Sequence, residues 1–170
     1  MGRISWYTVT VKGEMNMAFE IVTEPLLSLP AEAVVNRANI GLQYSSGLCA
    51  EIFEAAGKLP LQRACVAIGS CPVGDAVATE GFALPAKYII HAVPPRWCGG
   101  KYREDELLAA CYKKSIALAA RLGVRSLAFP LLSEGRCDYP ADRGLAVAKR
   151  AIMTAPAQEN MKIYLTLPKT

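Results

Sequence analysis

The sequence predicts an α/β fold, a three-layer α/β/α sandwich with a mixed, mainly parallel central sheet, and three observations carry that expectation. Short β-branched runs alternate with segments of helical period along most of the 170 residues, the order that stacks helices on both faces of a sheet. Lys87 to Val93, KYIIHAV, offers two faces, Ile89, His91 and Val93 on one and Tyr88, Ile90 and Ala92 on the other, as a central strand covered on both sides requires. Two polar loops, 36 to 47 and 133 to 139, each follow a buried strand and precede a helix. Loops of that kind share one edge of the sheet.

Taken in order, residues 4 to 11, ISWYTVTV, are β-rich and end on the turn signal Lys12-Gly13, and Ala18 to Val22 is a second strand, so the two form a hairpin. The segment TEPLLSLP, 23 to 30, holds two prolines and reads as a loop with one helical turn. Ala33-Val34-Val35 is a short buried strand, with Asn36 and Asn39 following at its carboxyl end. A loop with Gly41, Ser45, Ser46 and Gly47 runs into a helix over Leu48 to Ala56, which Gly57 stops. A second helical piece spans Leu61 to Ile68, a turn-rich SCPVGD link follows, and a short strand covers Ala76 to Thr79. After the loop from Gly81 to Pro85, the KYIIHAV strand ends at Pro94 and Pro95.

Residues 96 to 103 are a polar surface loop, and Glu104 to Leu122 is a helix with Leu107, Leu108, Cys111, Ile116, Ala119 and Ala120 on a broad apolar face, capped by Gly123. Ser126 to Leu132 is another buried strand, in which Pro130 marks where the far end leaves the sheet. The polar loop to Tyr139 leads through Pro140 into a helix over Ala141 to Met153, and Lys162 to Leu167 is the last strand. The whole is read as one domain, 1 to 170, with 1 to 17 an N-terminal strand or extension and 18 to 167 the core.

Hydrophobic residues at 52% and charged ones at 20% describe a compact protein, not a disordered one. A net charge of +4 favours an anionic partner mildly, but Lys/Arg and Asp/Glu are interspersed, so charge gives nucleic-acid binding little support. The six cysteines show no C-x-x-C spacing and His91 is the sole histidine, so no metal and no cofactor are implied. With no signal-peptide profile and no apolar run of membrane-spanning length, a cytoplasmic protein with reduced thiols and no membrane partner is expected.

As physical chemistry alone, the two loops suggest a cleft for a phosphate-bearing ligand, with backbone N–H groups of Ser45 to Leu48 and Ser133 to Cys137 turned inward. The segments also resemble a family. Ala33 to Asn39, AVVNRAN, is similar to A-I-V-N-A-A-N, and Ile52 to Gly57 to I-H-x-A-A-G. Gly81 to His91 is close to G-Y-x-L-P-A-K-Y-V-I-H, and Ser126 to Pro140 resembles S-I-A-F-P-x-I-S-T-G-x-Y-G-Y-P. These are patterns of the macro domain, an ADP-ribose-binding module, and the resemblance runs from Phe19 to Leu167.

The resemblance implies that Asn39 contacts the distal ribose, that Asn36 shapes the same loop, and that Ser45, Ser46, Gly47 and Leu48 form the first phosphate loop. It likewise implies that Ser133, Glu134, Gly135, Arg136 and Cys137 form the second, with Tyr139 the aromatic before the helix. Several positions depart from the pattern. Pro25 stands where an aspartate accepts a bond from the adenine amino group, and Tyr44, Ser45 and Ser46 replace glycines. Cys49 takes the place of the aspartate that orients water in hydrolytic members, and Cys137 replaces the aromatic that packs on the ribose.

Each residue also has a plainer reading. Asn36 and Asn39 are residue types that bond their own backbone after strands, Tyr139 is placed to pack on the following helix, and His91 fits a satisfied core histidine. Cys49, near a helix start, is a candidate nucleophile, but nothing in the sequence sets a general base beside it, and a small inert buried residue is the preferred reading. Glu51 and Asp138 are read as solvent-facing carboxylates. The expected function is therefore a binding module for ADP-ribose, an ADP-ribosylated protein or a related nucleotide diphosphate, with weak or absent hydrolase activity. The alternatives are an ADP-ribosyl or O-acetyl-ADP-ribose hydrolase, with Asn39 and Cys49 the catalytic candidates, and a degenerate scaffold without a nucleotide ligand.

Overall fold

The computed structural model describes residues 5–11, 15–135, 137–156 and 161–168. Seven strands among them form one sheet: β1 (Ser5–Val11), β2 (Met15–Val22), β3 (Ala33–Arg37), β4 (Ala76–Glu80), β5 (Tyr88–Ala92), β6 (Ser126–Pro130) and β7 (Lys162–Thr166). Their spatial order is β1-β2-β7-β6-β3-β5-β4. The five central strands run parallel and only the outer two, β1 and β4, are antiparallel to their neighbours. The expected hairpin is β1–β2, with its Lys12-Gly13 turn outside the described residues.

Among the described residues four α-helices cover the sheet: α1 (Leu48–Ala56), α2 (Lys58–Ile68), α3 (Glu104–Arg121) and α4 (Ala141–Thr154). The strand period of two divides the core between them. Ala33, Val35, Ile90, Ala92, Leu127 and Phe129 pack with Leu108, Tyr112 and Ile116 of α3 and with Ala148 and Ile152 of α4. Their neighbours Val34, Ile89 and Ala128 face the other way, onto Ile52 and Phe53 of α1 and Leu61 and Cys65 of α2. The three-layer sandwich follows from that alternation.

Strand β2 starts at Met15 instead of Ala18, several other ends shift by one residue, and three differences bear on the site or its support. Helix α2 starts at Lys58 instead of Leu61; Pro60 sits in its first turn, where the missing N–H breaks no intrahelical bond. Strand β6 stops at Pro130, and Leu131 and Leu132 lie beyond it. Asn36 does not follow β3 but belongs to it, paired in register with His91 of β5.

The ladder between β3 and β6 is short. Only Ala33↔Leu127 and Val34↔Ala128 pair there, whereas β3–β5 and β6–β7 each hold five partners. From that seam the chain leaves in opposite directions, since β3 continues into α1 on one face and β6 into α4 on the other. This is a topological switch point, where an open α/β sheet has a crevice at the carboxyl ends of its strands.

Candidate functional site

A cavity of about 400 Å³ occupies that crevice. Its wall includes Thr23, Glu24 and Pro25 after β2, Arg37 ending β3, Pro130 and Leu131 at the end of β6, and Thr166 and Leu167 at the end of β7. Leu48 and Glu51 from the first turn of α1 and Glu134 from the β6–α4 loop complete it. Both loops singled out in the sequence therefore border one opening.

The first loop is built by Asn39. Its Nδ2 donates to the Gln43 carbonyl at 3.0 Å and its Oδ1 accepts from the Gln43 amide at 2.9 Å, so one side chain clips the loop from 39 to 43 shut. Gly47 then takes φ 65°, ψ −136° at the N-cap of α1, with no side chain capping the helix. First-turn amides of a helix lack intrahelical partners, so this end is left to solvent or an anion. Ser45 is half-buried, and Ser46 and Gly47 are exposed beside it. Tyr44, which stands where the family pattern has glycine, is turned onto α1: its ring meets Phe53 edge-on at 5.7 Å and lies under Lys58 Nζ at 4.1 Å. It does not line the cavity.

Asn36 and Cys49 lie beneath this loop. Asn36 is 1% exposed, and its Nδ2 lies 3.2 Å from His91 Nδ1 and 3.8 Å from Cys49 Sγ. The other ring nitrogen of His91 is 3.0 Å from Thr79 Oγ1. With both nitrogens engaged and burial holding the imidazole pKa down at about 4 from 6.5, His91 is a neutral, satisfied core residue. Cys49 is 4% exposed, and its thiol points to the Gln43 carbonyl at 3.8 Å. No carboxylate, and no imidazole of its own, bonds that thiol among the described residues.

The second loop is tied down at its far end. Ser133 is buried against Gly144 of α4, so closely that any Cβ at Gly144 would fall 2.1 Å from Ser133 Oγ. Tyr139 is 8% exposed, meets the Trp97 ring at 4.8 Å with the planes tilted by 55°, and donates its hydroxyl to Asp105, which Arg143 also holds with two nitrogens. The plainer reading set it against the following helix, α4; its ring and hydroxyl partners are Trp97 and Asp105, so it clamps the loop to α3. Cys137 is partly buried, with its thiol toward the Leu132 carbonyl at 3.8 Å and burial pushing its pKa up. Gly135 adopts φ 82° beside Arg37. The expectation at Arg136 lies outside the described residues. Asp138 and Glu51 are both exposed, as read; Asp138 pairs with Arg96, and Glu51 also borders the cavity.

Of the ligand-binding residues expected from the sequence, Leu48 and Glu134 line the cavity and the other described ones do not; most of the wall, Arg37 included, escaped the sequence reading. Arg37 Nη1 donates to the Leu131 carbonyl at 3.0 Å, bridging β3 to the chain beyond β6 where the ladder has opened. Its signal was present, because the fifth residue of AVVNRAN is arginine where the family pattern has alanine. Among the described residues no group of three or more His, Cys, Asp or Glu could hold a metal ion. No helix among them is long and apolar enough to cross a membrane.

An open, mainly parallel sheet with a loop-flanked crevice at its switch point defines a ligand-binding α/β domain. The macro domain family profile matches residues 35–148, and the chain belongs to that family. It is 40% identical to a macro domain-containing protein of Methanosarcina mazei over 139 residues, covering 81% of this chain and 74% of that one. It is 37% identical to the O-acetyl-ADP-ribose deacetylase of Citrobacter rodentium over 142 residues, 81% of this chain and 80% of that protein. The Oceanobacillus iheyensis macrodomain solved with ADP superposes with a TM-score of 0.85 at 27% identity, covering 98% of this chain and 90% of that one. A variant of the same macrodomain, solved with ADPR, gives a TM-score of 0.81 at 27% identity over 96% and 91%.

Proposed function

We propose that this chain is a binding module for ADP-ribose or a related nucleotide diphosphate, free or attached to a protein, with weak or absent hydrolase activity. The observation that carries the reading is the crevice between β3 and β6, about 400 Å³, flanked by an uncapped helix start on one side and the Leu131–Glu134 turn on the other. Its carboxyl-edge position is where α/β sheets hold nucleotides, and the superposing macrodomain is solved with ADP and, as a variant, with ADPR. Asn39, Ser45, Ser46, Gly47 and Leu48 are assigned to one wall of the ligand, and Ser133, Glu134, Gly135, Arg136 and Cys137 to the other. Asn36 acts from below, through the loop that Cys49 touches. Tyr139 acts as the clamp of the second loop.

Two features support weak or absent turnover. Cys49 is sealed at 4% exposure where hydrolytic members carry the water-orienting aspartate, and Pro25 borders the cavity without a side-chain acceptor. The hydrolase reading is favoured by one finding, the 37% identity to an O-acetyl-ADP-ribose deacetylase; in that case Asn39 and the ligand's own phosphate would order the attacking water. Titration calorimetry with ADP-ribose, followed by incubation with mono-ADP-ribosylated protein, separates the two. Heat without release of ADP-ribose is the expected result, turnover selects the hydrolase, and no heat at millimolar ligand leaves a scaffold without a nucleotide.

A further inference from the structure

Arg37 is a cation that the fold places in the cleft and leaves unmatched. Its guanidinium carries five N–H donors, yet the described residues supply it with one hydrogen-bond acceptor, the Leu131 carbonyl. Glu134 and Glu51 act on it electrostatically, but among the described residues no carboxylate comes within the 4.0 Å of an ion pair. Burial meanwhile lowers its pKa below the ordinary arginine value, the mark of a charge that has lost part of its water.

A desolvated, unpaired charge is unfavourable unless something of opposite sign completes it. Two features say what fits. The guanidinium lies beside Gly135, close enough that a Cβ there would stand in ordinary contact, 3.9 Å from Arg37 Cζ, so the charge borders the second loop. Gly135 follows directly on the turn closed by the Glu134 amide on the Leu131 carbonyl, the same oxygen that Arg37 holds. Arginine's planar fork matches the paired oxygens of a phosphoryl group.

We infer that Arg37 is an anion-binding residue of the cleft, taking two oxygens of a ligand phosphate between β3 and the Leu131–Glu134 turn. The inference deepens the proposed function and rests on it for the identity of the ligand. Phosphate recognition in this chain is then carried by a side chain as well as by loop amides, and selectivity lies with phosphorylated over unphosphorylated nucleosides.

The test compares wild type, Arg37→Lys and Arg37→Gln against ADP-ribose, inorganic pyrophosphate and adenosine, by calorimetry at two salt concentrations. Losing a charge-assisted, two-pronged contact should weaken ADP-ribose and pyrophosphate roughly tenfold or more in Arg37→Gln, less in Arg37→Lys, and flatten the salt dependence. Adenosine should respond little. Equal or tighter binding of both phosphate ligands by folded Arg37→Gln would overturn the inference, because the side chain would then be a staple or a plug. Should the glutamine variant fail to fold, the Nε–H resonance of Arg37 in the wild type decides. A shift on pyrophosphate titration supports the contact, and saturation without a shift overturns it. ADP-ribose failing on the wild type while pyrophosphate still moves Arg37 would remove the proposed function and leave this inference standing.

Discussion

Replacing Gly144 by alanine tests how the fold holds the second loop. In an ordinary helix the change is favourable, by about 1 kcal/mol, because alanine has less backbone freedom to lose. Here the new methyl would fall 2.1 Å from Ser133 Oγ, 2.5 Å from Ser133 Cβ and 3.5 Å from Tyr139 Cδ1. The first two distances are far inside contact, and Ser133 is buried, so α4 and the loop must separate. Overpacking of that kind costs about 1–3 kcal/mol, and Gly144 lies in the first turn of α4, bonded to the Pro140 carbonyl, where the propensity gain is smallest. The expected net effect is a loss of about 1–2 kcal/mol in urea unfolding, together with weaker ADP-ribose binding as Glu134 and Gly135 are displaced. Ser133→Gly in the same chain removes the obstructing atoms, so the double variant should recover at least about 1 kcal/mol over the sum of the single changes. Full stability in Gly144→Ala, or strict additivity in the cycle, would refute the close approach of α4 to the loop.

Asn39→Ala removes both bonds that close the loop from 39 to 43, and calorimetry should show ADP-ribose binding weakened roughly tenfold with little change in unfolding midpoint. Cys49→Ala should leave the affinity nearly unchanged, since the thiol is sealed from the cavity; a large loss would mean that the sulfur meets the ligand. The pH dependence of stability should carry the mark of His91. Above pH 6.5 native and unfolded chains both hold it neutral, and between 6.5 and about 4 the unfolded chain gains a proton that the native one refuses. Stability should therefore fall as the pH is lowered across that window, by about 3 kcal/mol, and His91→Gln should flatten the decline seen in unfolding curves between pH 7 and 4.

The architecture was legible because strand and helix periods differ and each segment carried its own period: β5 shows its two faces in seven letters, and α3 is announced by its apolar stripe and Gly123. The site edge was legible for the same reason, since loops between a parallel strand and its helix share one side. What the sequence hid depends on partners far along the chain. Asn36 reads as a loop residue until β5 brings His91 beside it, and Tyr139 gains its role from Asp105 and Trp97, both more than thirty positions away. Arg37 is the clearest case. A charged residue after an apolar run looks like a solvated strand end, and only the parting of β3 from β6 turns it inward.

That parting has a mechanical consequence. The two paired residues between β3 and β6 are the narrowest join in the sheet, with β1, β2, β7 and β6 on one side and β5 and β4 beyond β3 on the other. Small rocking of the halves about Val34 and Ala128 would widen or narrow the crevice without unpairing any other strand. A molecule lodged in the crevice touches both halves and so acts as a rivet across them. Amide exchange at the seam should slow when it binds, coupling occupancy of the cleft to the rigidity of the whole sheet.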